Sequence, residues 1–147
     1  MKVLYNDCYG DFAFSAAFLA EYKARTGTDL DLTKALFHTG AHSIRCDPVA
    51  IALVAEHGSE WSSAPEANIT IYEFPDVFAH YWEIEDYDGN ETVHLNVSDA
   101  VADLLHTFMD TDRDITALER QYRAIMAAVP RSFGLEPESK SNVTRDC

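Results

Sequence analysis

The stretch 80-HYWEIEDYDGNETVHLNV-97 decides how the chain is read. Trp82 and Ile84 alternate with Glu83 and Glu85, and Val93, Leu95 and Val97 keep the same period of two on the far side of Asp88-Gly89. Period-two alternation marks strands with one apolar face. An Asp-Gly pair between two such runs suits the two-residue turn that needs positive φ angles. The spacing therefore predicts an antiparallel hairpin.

Upstream, 68-NITIYEF-74 has the β-branched and aromatic content of another strand, ended by Pro75-Asp76. Before it, 47-DPVAIALVAEHG-58 reads as a helix with Asp47 as cap, Pro48 at the first position and Gly58 as the stop. Phe14, Phe18 and Tyr22 recur every four residues, so a helix capped by Ser15 and ended by Gly27 is expected there. Residues 2–6 read as a short strand, and Lys34 to His38 as a candidate strand.

Downstream, Ser98 is expected to cap a helix with Val101, Leu104, Leu105, Phe108 and Met109 inward. A second helix over about 114–129 carries Ile115, Leu118, Tyr122, Ile125 and Val129 at heptad spacing. The expected fold class is α+β: a small, mainly antiparallel sheet with two helices, plus a C-terminal αα-hairpin. Residues 1–97 are expected to form the binding module, 98–130 a helix pair packed on it, and 131–147 a polar tail, with disorder expected over 136–147.

The chain has 147 residues, 25 of them acidic and 11 Lys or Arg, for a net charge of −14. Such a charge repels nucleic acid and anionic membrane at long range, so neither is an expected partner. No apolar run approaches the ~20 residues of a membrane span, and the start MKVLYNDC does not resemble a signal peptide. Cys8, Cys46 and Cys147 are odd in number and lack CxxC spacing, which fits free thiols in a cytoplasm. Four Asn-x-Ser/Thr matches are read as chance for want of an export signal. No cofactor or metal is expected.

Cys8 lies where a strand hands over to a helix, a position that lowers a thiol pKa. No second motif names a base for it, so the plainer reading is a small packed side chain. His38, His42 and Cys46 share i, i+4, i+8 spacing, but Gly40 and Asp47-Pro48 interrupt any helix that would align them as zinc ligands. Asp110, Asp112 and Asp114 echo the start of a calcium loop whose glycine and terminal glutamate are absent; capping is the plainer role. No GxGxxG, P-loop, GxSxG or HExxH occurs.

Binding remains. Tyr9, Phe12, Tyr81, Trp82 and Tyr87 lie near turns or strand ends and offer aromatic faces to a base, although core packing is the ordinary fate of Phe12 and Trp82. Arg25 and Arg45 offer forked donors to a phosphate. Asp7, Cys8 and Gly10 supply the first bend, and Asp88, Gly89 and Asn90 the second, and the two bends are expected to open into one shared hollow.

These residues also resemble a family. Asn6-Asp7-Cys8-Tyr9-Gly10-x-Phe12 is similar to the opening N-D-C-Y-G-G-F of small proteins of bacteriophages and large DNA viruses. Arg45-x-Asp47-Pro48 and Asp86-Tyr87-Asp88-Gly89 follow in the same order, the latter resembling E-Y-D-G. The resemblance covers about residues 1–95 and extends to the Thoeris anti-defence sponges. It implies a non-catalytic protein of the host cytoplasm that sequesters a small nucleotide-derived signal, a cyclic ADP-ribose isomer or cyclic nucleotide, as a homodimer or higher oligomer. Asp11 stands where the family has a second glycine, and the helix pair replaces a short basic tail. Two other readings stay open: an acidic inhibitor that mimics nucleic-acid charge, and a thiol enzyme using Cys8.

Overall fold

The computed structural model describes residues 1–30, 44–109 and 115–132, the backbone alone at 108–109 and 129–132. The chain is α+β, with four helices and two antiparallel two-stranded sheets among the described residues. Strand β1 (Lys2–Asn6) is followed by α1 (Ala16–Thr26), a 3-10 turn (Ile44–Cys46) and α2 (Pro48–Ser62). Then come β2 (Ile69–Glu73), a second 3-10 turn (Asp76–Phe78), β3 (Trp82–Tyr87), β4 (Asn90–Leu95), α3 (Val97–Met109) and α4 (Ile115–Ser132). The candidate strand at 34–38, the His38/His42 pair, the Asp110–Asp114 run and the tail lie outside the described residues.

Two compact units share the chain. One holds Lys2–Glu73 and Ile84–Val93. There β1 pairs antiparallel with β2, setting Val3 opposite Tyr72, Leu4 opposite Ile71 and Asn6 opposite Ile69. The core joins Leu4 and Ile69 of that sheet to Phe18 of α1, Leu53 of α2 and the loop residues Phe12 and Phe14. Phe14 and Phe18 stack with ring centroids 3.9 Å apart. This packing places the end of β1 and the loop after it against α2.

Local chemistry fixes the helix ends. Ser15 Oγ accepts the Phe18 N–H at 3.0 Å and donates to the Trp61 carbonyl at 2.7 Å. Asp47 accepts the Val49 and Ala50 N–H groups at 2.8 and 2.9 Å, and Gly58 breaks α2 where the sequence placed its stop. Asp88 and Gly89 both take positive φ, 55° and 85°, as a two-residue hairpin turn requires.

Among the described residues the other unit holds Met1, Phe74–Glu83, and the chain from His94 through α3 and α4. Its start differs from expectation. Asn96, not Ser98, caps α3: the Asn96 side-chain oxygen accepts the Asp99 N–H at 3.2 Å and the Ser98 hydroxyl at 2.9 Å. Ser98 is already inside the first turn, where it can only support the cap. The seam is also less buried than heptad spacing implied. Ile125 is fully buried, but Leu105, Ile115 and Tyr122 are at least half exposed. A two-helix pair covers one side of each helix, so an apolar arc wider than that contact stays open.

Candidate functional site

Asn6 ends β1 with no exposed surface. Its side-chain nitrogen lies 2.9, 2.6 and 2.8 Å from the carbonyl oxygens of Cys8, Gly10 and Gly89. Two N–H bonds thus serve three acceptors. Its side-chain oxygen accepts the Asn68 N–H at 2.7 Å, and its backbone N–H reaches Glu91 Oε2 at 2.8 Å. One amide therefore ties the bend after β1 to the hairpin turn.

The two glycines explain how closely those bends meet. A Cβ on Gly89 would fall inside the Gly10 peptide, 2.6 Å from its nitrogen. A Cβ on Gly10 would in turn overlap the Glu66 carbonyl oxygen. Only glycine lets backbone approach backbone this closely. The bends are interlocked, and the contact between them is solid, not hollow.

Arg45 closes the cluster from beneath. Its Nη1 and Nη2 each lie 2.7 Å from a Glu91 oxygen, a bidentate pair with both side chains over nine-tenths buried. Nη1 also donates to the Leu4 carbonyl at 3.1 Å, and the guanidinium carbon sits 3.9 Å over the Phe12 ring. The three motifs of the resemblance thus converge on one buried polar cluster.

This changes what several predicted residues do. Arg45, expected at a phosphate, spends its fork on Glu91. Phe12 is 5 % exposed and serves Arg45 and the core, not a ligand face. Arg25 is held on the surface by Glu21 and Glu56, its bonds to Glu56 being 3.2 and 2.8 Å. Those hydrogen bonds raise the Arg25 pKa further and lower that of Glu56. Cys8 is buried and disulfide-bonded, which overturns the free-thiol expectation for it; a disulfide sulfur is not a thiolate nucleophile. Cys46 is the free cysteine among the described residues, and burial raises its pKa.

The outward side of the junction carries the rest. Tyr9 is 63 % and Tyr87 76 % exposed, each one or two residues from a locked glycine. Asp7, Asp11, Asp86 and Asp88 are exposed beside them, and Asp86 accepts the Gly89 N–H at 2.8 Å. Asn90 is half-buried at the start of β4. Tyr81 and Trp82 belong to the other unit. Tyr81 lines a groove of about 490 Å³ with Leu104 and Leu118, and Asp103 accepts its phenol, raising the phenol pKa. Trp82 lies against Phe74, centroids 6.2 Å apart. Asn6, Asn68 and Glu91 were missed as site residues. Asn6 alone had a local signal, as the polar end of an apolar strand.

Among the described residues no helix is long and apolar enough to cross a membrane, and no group of three or more His, Cys, Asp or Glu is placed to hold a metal. No family model, curated protein or solved structure matches the chain.

Proposed function

We propose that this is a non-catalytic binding protein of viral counter-defence, acting in the cytoplasm of an infected cell and sequestering a small nucleotide-derived signal. The carrying observation is the Gly10–Gly89 interlock, which holds two exposed tyrosines on bends fixed by a buried polar cluster. Rigid aromatic side chains at a preorganised surface bind planar ligands at low entropic cost. In this reading Tyr9 and Tyr87 take the base, while Arg45 and Asn6 hold the frame and do not touch the ligand. Calorimetry against cyclic nucleotides and cyclic ADP-ribose isomers tests it. Binding should be abolished in the Tyr9→Ala/Tyr87→Ala variant, and bound ligand should return intact after heat release. Absence of binding across the panel, or recovery of a cleaved product, refutes the proposal.

A second reading has its own support: the arginines expected at a phosphate, Arg25 and Arg45, are both paired to carboxylates, and the exposed rim is acidic. Such a surface fits a basic protein whose nucleic-acid groove it would occupy. That association would weaken steeply with salt and show no competition from small nucleotides.

A further inference from the structure

The two-helix unit leaves large apolar side chains open on one face. Ile115 is 72 %, Tyr122 50 % and Met126 46 % exposed, and all three lie on α4. At 100° per residue they fall within about 40° of one another. Leu118, half-buried, and Ile125, fully buried, continue the same arc on one side. The arc is thus about 100° wide, with one edge covered inside the unit and the other open. Glu119 flanks the open edge and is paired to Arg123 one turn on at 2.6 Å, with both side chains exposed.

We infer that this face of α4 is the contact through which two copies of the chain associate, antiparallel about a two-fold axis near Tyr122. A two-fold contact must be self-complementary. An antiparallel pairing centred at residues 121–122 sets Leu118 near the partner subunit's Met126 and Glu119 near the partner subunit's Arg123. Apolar surface meets apolar surface, and each carboxylate meets a guanidinium. The exposed ion pairs fix register more than they add affinity. The inference does not depend on what the Gly10–Gly89 junction binds.

The net charge of −14 gives the contact a signature. Two copies repel each other at long range, and salt screens that repulsion while leaving apolar burial intact. Self-association through α4 therefore tightens with salt, the opposite of docking on a basic protein.

Sedimentation equilibrium on the full chain, from about 1 to 100 µM, covers the range where a modest interface dissociates. The expected mass rises from 16.5 kDa to twice that value, with a larger dimer share at high salt. Tyr122→Glu/Met126→Glu should be monomeric, with a dissociation constant raised more than about tenfold and a melting temperature unchanged at low protein concentration. Glu119→Arg and Arg123→Glu should each weaken the dimer, and together restore it. A wild-type chain that stays monomeric to the highest concentration overturns the inference. So does a dimer that survives Tyr122→Glu/Met126→Glu.

Discussion

Gly89 and Gly27 both take left-handed backbone, with φ of 85° and 72°, yet their surroundings differ. Nothing lies within 4 Å of a Cβ built on Gly27, so Gly27→Ala should cost about 1 kcal/mol, the left-handed penalty alone. A Cβ on Gly89 meets the Gly10 peptide, so Gly89→Ala should cost several times more, roughly 3 kcal/mol or above. Thermal melts of the two variants separate these cases; equal losses would mean the bends are not in contact. Arg45 and Glu91 give a second comparison. Glu91→Gln leaves a buried guanidinium without its counter-charge and should cost about 3–5 kcal/mol, whereas Arg45→Met/Glu91→Leu should recover only part of that, because the buried Asn6 N–H loses its Glu91 acceptor. Denaturant titration of the three proteins measures it.

The helices show what was legible and why. Ser15, Asp47 and the Asp88-Gly89 turn were readable because each acts on residues two or three positions away. The α3 cap was misplaced by two residues because Asn96 and Ser98 are both good caps and local sequence does not rank them. Asn96→Ala should cost about 1 kcal/mol and Ser98→Ala clearly less, as thermal unfolding of each variant would report. Arg45–Glu91 was illegible: the partners are 46 residues apart, and no local pattern marks a buried pair. The same blindness made Arg45 look like a free phosphate anchor. Across α1 and α2, the Arg25–Glu56 pair lowers the Glu56 pKa, chiefly through their hydrogen bond. A depressed carboxylate stabilises above its unfolded pKa, and that contribution is lost as pH falls through its folded one. The stability difference between the wild type and Glu56→Gln should therefore shrink steadily as pH falls below the ordinary glutamate value of about 4.3, as melts taken from pH 7 to 3 would reveal.

At the scale of the molecule, the α+β class followed from the alternation of 80–97 and the helical periods around it. The units did not, because the hairpin contributes its turn to one and its base to the other. Three separate motifs were visible in the sequence. That the two bends come together was also read from the sequence; that a buried Asn6 joins them was not, since it finds Gly89 and Glu91 across 83 and 85 residues.

Those separations set an order of events during folding. Closing so long a loop costs entropy that is repaid only once the strands and helices between its ends are in place. The glycine-to-glycine lock should therefore form after the rate-limiting barrier. In stopped-flow chevrons, Gly89→Ala should steepen escape from the native state by raising the unfolding rate, while the refolding arm stays where it is.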